Sequence, residues 1–123
     1  MSTPSISALK VFVPCRDFDI SLAFYQALGW QLNWCQSQLA EIELNGHCLL
    51  LQDFYVPQWA DNFMVHLTVA DADHWHRHVS DVLQRENFGP ARVEAPRLEP
   101  QGARVTHVWD PSGVLLQLAQ LMN

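Results

Sequence analysis

The sequence predicts an α+β fold made of two βαβββ modules, and three observations predict it. Segments with strand and helix periodicity follow the order strand, helix, three strands, and then follow that order again, dividing near Val56-Pro57-Gln58. Each predicted helix is preceded by a pair of aspartates able to cap it, Asp17/Asp19 and Asp71/Asp73. Two turn signatures, Asn45-Gly46 and Asp110-Pro111-Ser112-Gly113, each join the last two strands of a module.

From Ala8 to Pro14, Leu9, Val11 and Val13 alternate with Lys10 and Phe12, as in a strand. Asp17 or Asp19 then caps a helix over about Ile20 to Leu28, whose apolar Ile20, Ala23, Phe24 and Leu28 share one face, and Gly29 follows its end. Strands are expected at about Gln31 to Cys35, Leu39 to Leu44 and Cys48 to Phe54. The second module opens with a strand at Phe63 to Val69. Asp71 or Asp73 caps a helix over about His74 to Arg85, with Trp75, Val79, Val82 and Leu83 as its apolar stripe. Strands near Arg92 to Ala95, Arg104 to Trp109 and Val114 to Leu121 complete it. The whole chain, 1–123, is read as one domain, with module 1 at about 6–57 and module 2 at about 62–123. Neither half can bury its sheet alone, so the sheets must curl toward each other, or toward a partner chain, to form a cup.

Composition narrows the function classes. The chain is 49% hydrophobic, which fits a globular protein. Its longest apolar runs, such as Cys48-Leu49-Leu50-Leu51, fall far short of the roughly 20 residues that span a bilayer. Met1-Ser2-Thr3-Pro4-Ser5 lacks the basic and apolar regions of a signal peptide, so a cytoplasmic location is expected. A net charge of −6 argues against nucleic acid and weakly favours a cationic ligand. The odd set Cys15, Cys35 and Cys48 fits neither a disulfide framework nor a zinc knuckle. Five tryptophans offer flat apolar surface, of use in a core and equally for stacking on a ligand.

The repeated module, the run Asp17–x–x–x–Ser21–x–x–Phe24-Tyr25–x–x–Leu28-Gly29 and the closing Asp110-Pro111-Ser112-Gly113-Val114-Leu115-Leu116-Gln117-Leu118 resemble the vicinal-oxygen-chelate superfamily, also called the glyoxalase/bleomycin resistance/dioxygenase group. Arg16-Asp17-Phe18-Asp19, Ala23-Phe24-Tyr25, Ala95-Pro96…Leu98 and Gly102 are similar in particular to the bleomycin-resistance proteins. The resemblance covers nearly the whole chain. It implies curled mixed sheets and a strand-sharing or module-swapped homodimer, which would cover exposed strand edges.

Enzymes of the superfamily hold a divalent metal on His, Gln or Glu at the ends of four equivalent strands. By the resemblance those positions here are Lys10, Met64, Gln117 and one of Leu50, Leu51 or Gln52. An ammonium repels a cation, and one Gln does not replace a ligand set, so neither a metal nor another cofactor is expected. His74 and His78, one helical turn apart, can pinch a surface ion, but no third ligand accompanies them and a solvated face is the plainer reading.

The resemblance implies a non-catalytic binder that sequesters a flat or cationic drug of the bleomycin kind in crevices of a dimer. Trp34 stands where such proteins carry a stacking aromatic; the rival role is a core tryptophan at a strand end. Phe54 and Trp59 are expected as crevice walls or as packing at the module junction. His66 shares its strand face with Met64, and His107 shares one with Val105 and Trp109 that by the resemblance looks into the cup; either can hydrogen-bond a ligand, act as an acid or base, or serve structurally, and Trp109 and Gln117 are counted with them as ligand-binding candidates. Gln101 replaces a second stacking tryptophan of the subgroup, which removes half of an aromatic sandwich. The alternative is an enzyme with an atypical site (a lyase, isomerase, thiol transferase or dioxygenase) using Lys10, His66, His107 or Cys35. A structural dimer whose cup is filled by its own side chains is a third reading.

Overall fold

A computed structural model describes residues 3–122; Asn123 and the first two residues of the N-terminal run read above, Met1 and Ser2, lie outside it. Nine strands and three helices follow one another as β1 (Val11–Pro14), α1 (Phe18–Leu28), β2 (Gln31–Gln36), β3 (Leu39–Leu44), β4 (His47–Gln52), α2 (Pro57–Ala60), β5 (Met64–Thr68), α3 (Ala72–Arg85), β6 (Arg92–Val93), β7 (Arg97–Leu98), β8 (Ala103–Trp109) and β9 (Leu115–Leu121). They form two sheets with the same topology. The first runs β1-β4-β3-β2, and the second runs β5-β9-β8-β6 with β7 also paired to β8. In each, the opening strand lies parallel to the closing strand and the other pairs are antiparallel.

Local chemistry explains most boundaries. Asp17 caps α1 by accepting from Ile20 N at 3.2 Å, so the helix starts at Phe18, two residues earlier than the periodicity predicts. Asp71 does the same for α3 through His74 N at 3.0 Å. Gly29 ends α1 at φ 117°, where a side chain would be strained. Asn45 and Gly46 are both left-handed, the geometry of a tight two-residue hairpin. β1 begins at Val11 and not at Ala8, because its register on β4 starts with Val11 opposite Leu49. The strand expected over Arg92 to Ala95 shortens to β6, and an unforeseen second strand, β7, follows beyond Pro96, which has no N–H to donate. α2 was not foreseen; Pro57 occupies its first turn, where the missing N–H costs nothing.

One core unites the modules. Val13, Ile42 and Leu51 from the first sheet, Phe24 and Tyr25 from α1, Val79 and Val82 from α3, and Val108, Leu116 and Leu118 from the second sheet belong to one buried cluster. α1 and α3 therefore occupy the inner side of the sheets, and each sheet turns its other face away from that shared core. A buried polar clasp joins the modules as well. Tyr25 Oη donates to Asp110 Oδ2 at 2.7 Å, and Asp110 Oδ1 accepts from Ser112 N at 2.8 Å and Val114 N at 3.0 Å. Ser112 Oγ meets Ser21 Oγ at 3.1 Å and accepts from Arg16 N at 2.9 Å. Burial pushes the Asp110 carboxyl up to about 6 and raises the Tyr25 phenol well above its ordinary value. No helix among the described residues is long and apolar enough to cross a membrane.

Candidate functional site

The face of the first sheet turned away from that core carries a polar centre in an aromatic setting. Alternation along β3 sends Ala40 and Ile42 into the core and Glu41 to the other side. Glu41 is nonetheless only 6% exposed, because its neighbours close over it. The Lys10 ammonium forms an ion pair with Glu41 Oε1, and Asn33 Nδ2 donates to Glu41 Oε2 at 2.8 Å and to Glu43 Oε1 at 3.0 Å. A register shift between Leu32 and Trp34 bulges β2, and beyond it Trp34 lies directly opposite Glu41. Trp34 remains 39% exposed, so it is not a core tryptophan. Phe12 and Leu50 complete this face, Leu50 standing opposite both Phe12 and Glu41.

The second sheet presents a different surface. His66, Gln117 and His107 are register partners across β5, β9 and β8, so they form one row on a single face. His66 Nε2 lies 3.1 Å from Thr68 Oγ1, and His107 Nε2 lies 4.0 Å from Glu99 Oε1. The His107 and Trp109 rings stack at 6.0 Å, and the Arg92 guanidinium sits 3.6 Å above the Trp109 ring. Part of the Trp109 surface is thus already taken.

Each expected site residue has a definite place. Trp34 lies on the first sheet, and His66, Gln117, His107 and Trp109 lie together on the second. Phe54 and Trp59 flank the junction, 54% and 66% exposed, with ring centroids 6.4 Å apart. Gln101 is exposed in the turn before β8. Within one chain the first-sheet and second-sheet groups are not brought together, since both faces point away from the shared core. Sequence reasoning missed Glu41, Asn33 and Arg92. Glu41 was detectable as a charge alternating with Ala40 and Ile42 in a strand flanked on both sides, whereas the bulge that turns Asn33 toward it left no sequence signal.

The metal-ligand positions do not fit a divalent cation. At the first, Lys10 is held in its ion pair, and Glu41 in turn keeps the ammonium charged by raising its pKa. Met64 is 60% exposed, Leu51 is buried in the core and Leu50 is the residue of its trio opposite Glu41. Among the described residues no three of His, Cys, Asp and Glu are grouped to hold an ion. His78 does not join His74 on a solvated face; its Nε2 lies 2.7 Å from the Leu28 carbonyl at the end of α1. The ionised Lys10 is a poor base, and burial raises the thiols of Cys15 (to about 12) and Cys48.

A groove of about 610 Å³ runs along β5, with Val65 to Ala70 on one side and Leu44, Asn45 and His47 to Leu49 on the other, over Trp30 and Trp75. Among the described residues β5 pairs only with β9, so its outer edge is open. The N-terminal segment leaves Ile6 and Leu9 each 78% exposed.

Comparison with known proteins places these faces in context. No family model matches the chain. A bleomycin resistance protein of Klebsiella pneumoniae is 30% identical over 112 residues, covering 88% of this chain and 87% of that protein. A bleomycin-binding protein solved in complex with bleomycin superposes with a TM-score of 0.78 at 27% identity, covering 94% of this chain and 98% of that one. Lactoylglutathione lyase from Agrobacterium tumefaciens shares the fold at 18% identity, with a TM-score of 0.70 and 95% of each chain covered.

Proposed function

The chain belongs to the bleomycin resistance protein family, and on that premise we propose that it is a non-catalytic protein that binds and sequesters a flat or cationic drug of the bleomycin class. The observation that carries the reading is Trp34, a large aromatic surface held open beside a fixed polar centre on one sheet face. Stacking on such a surface contributes about 0.5–1.5 kcal/mol beyond the area it buries. The chain's net charge of −6 attracts a cation from a distance.

The binding unit in this proposal is a homodimer. Trp34 and the His66–Gln117–His107 row face apart within one chain, so a crevice lined by both needs a second copy. The open edge of β5 with its groove, and the exposed Ile6 and Leu9, support an exchange of N-terminal segments that adds a strand to the partner. Phe54, Trp59 and Trp109 stand at the margins of such a crevice, and Gln101 leaves room on its far wall.

The test is titration of the protein with metal-free bleomycin, followed by tryptophan fluorescence and calorimetry. Saturable binding at one drug per chain, with unmodified drug recovered on release and binding lost in Trp34→Ala, is expected. Absence of binding up to high micromolar drug, or turnover proportional to protein concentration, overturns the reading.

A further inference from the structure

A charged residue in the middle of a sheet is costly to desolvate unless it is fully partnered. Glu41 occupies such a place. It sits in β3, between β2 and β4, and is 94% removed from solvent on a face whose aromatic side chains, Phe12 and Trp34, are exposed. Two segments send donors to it, and a third side chain stands opposite it. Lys10 reaches it from the segment before β1, Asn33 from the bulge of β2, and Trp34 is its cross-strand neighbour. Lys10, Asn33 and the Trp34 side chain all favour its ionised form.

The bulge and the carboxylate are parts of one device. Among the described residues β2 is an edge strand, so no strand beyond it fixes the tryptophan ring. The register shift between Leu32 and Trp34 directs Asn33 to the Glu41 and Glu43 carboxylates while setting Trp34 opposite Glu41. An open aromatic side chain that samples several rotamers loses that freedom when a ligand stacks on it, which weakens binding; one held in place beforehand does not. Lys10 balances the carboxylate, so the anchor does not itself remain an unpaired charge in the face.

We propose that Glu41 is the positioning residue of Trp34: its carboxylate, neutralised by Lys10 and bridged by Asn33, holds the indole in the orientation that stacks on the ligand. The proposal rests on Trp34 being the stacking surface and adds what makes that surface rigid. Glu41 acts through the ring and not on the drug.

The experiment is a double-mutant cycle on Glu41→Gln and Trp34→Phe, read as bleomycin affinity by calorimetry, together with acrylamide quenching of Trp34 in drug-free protein. The Trp34 signal is isolated by subtracting the Trp34→Phe spectrum. Glu41→Gln is expected to raise the quenching of Trp34 and to weaken binding about tenfold. In the Trp34→Phe background, which retains a ring but has no indole N–H, the same change is expected to cost less than about threefold. Equal loss in both backgrounds, or unchanged quenching and affinity, overturns the proposal. If Glu41→Gln does not fold, Asn33→Ala carries the test, since it leaves the ion pair intact and is expected to give a smaller change in the same direction. Failure of the functional reading is a separate result: Trp34→Ala then binds bleomycin as well as the parent protein does.

Discussion

Replacing Tyr25 by Phe removes one oxygen from a fully buried site and tests the clasp between the modules. Asp110 Oδ2 accepts from Tyr25 Oη at 2.7 Å, while its two backbone donors both serve Oδ1. Above pH 6 the carboxyl is ionised, and the lost bond is one to a buried charge. Such bonds contribute about 1.5–3 kcal/mol, so a loss of about 2 kcal/mol is expected at pH 8. The pH dependence follows from linkage. Burial raises the folded carboxyl from 3.8 to about 6, so between those values the folded protein binds the extra proton. The stability that this proton confers is fully present below about 3.8 and is lost as pH rises through about 6; the gap corresponds to about 3 kcal/mol. Tyr25 acts against the shift by favouring the charged form, so Tyr25→Phe pushes the folded value higher still. Its cost should shrink at pH 5, where the carboxyl is protonated in both proteins. Urea unfolding at pH 8 and pH 5, followed by tryptophan fluorescence and far-UV circular dichroism, measures both losses. Equal losses at the two pH values, or less than about 0.5 kcal/mol at pH 8, would refute the assignment of Asp110 as the titrating partner.

Three further outcomes are expected. Asp110→Asn should flatten the rise in stability that this carboxyl gives the parent protein between pH 7 and pH 5, read from urea midpoints across that range. Gln38→Gly should stabilise by about 0.5–1 kcal/mol in thermal melts, because Gln38 is left-handed at φ 66° in the β2–β3 turn, a conformation glycine adopts freely. Ile6→Asp combined with Leu9→Asp should convert a dimer to a monomer in light scattering while leaving the far-UV spectrum unchanged; a dimer that persists would remove the N-terminal segment from the interface.

The repeat was legible because its signals are local. Asp17, Asp71, Gly29 and Asn45-Gly46 act within a few residues of themselves, and hairpin and helix boundaries followed from them to within two residues. What escaped depends on contacts distant in sequence. The break around Pro96 became visible only once β8 was seen to pair with both β6 and β7. His78 read as a solvated polar residue until the end of α1 placed the Leu28 carbonyl beside it. For the candidate site, Trp34 was singled out as a stacking surface by resemblance and not by its surroundings. The centre around it joins Lys10, Asn33, Glu41 and Glu43 from three segments, and the bulge that permits this has no period to reveal it.

Placing α1 and α3 inside, so that the two open faces of one chain look apart, has a genetic corollary. In the proposed dimer each crevice draws one face from each chain, so two defective alleles can compensate for each other. A chain lacking Trp34 and a chain damaged in the His66–Gln117–His107 row, expressed together, would form mixed dimers in which one crevice inherits both lesions and the other inherits neither. Cells carrying the pair would regain tolerance that neither allele gives alone. In the proposed dimer the same arrangement would make tolerance fall off steeply as expression drops, because dilution that separates the chains would dismantle both crevices at once.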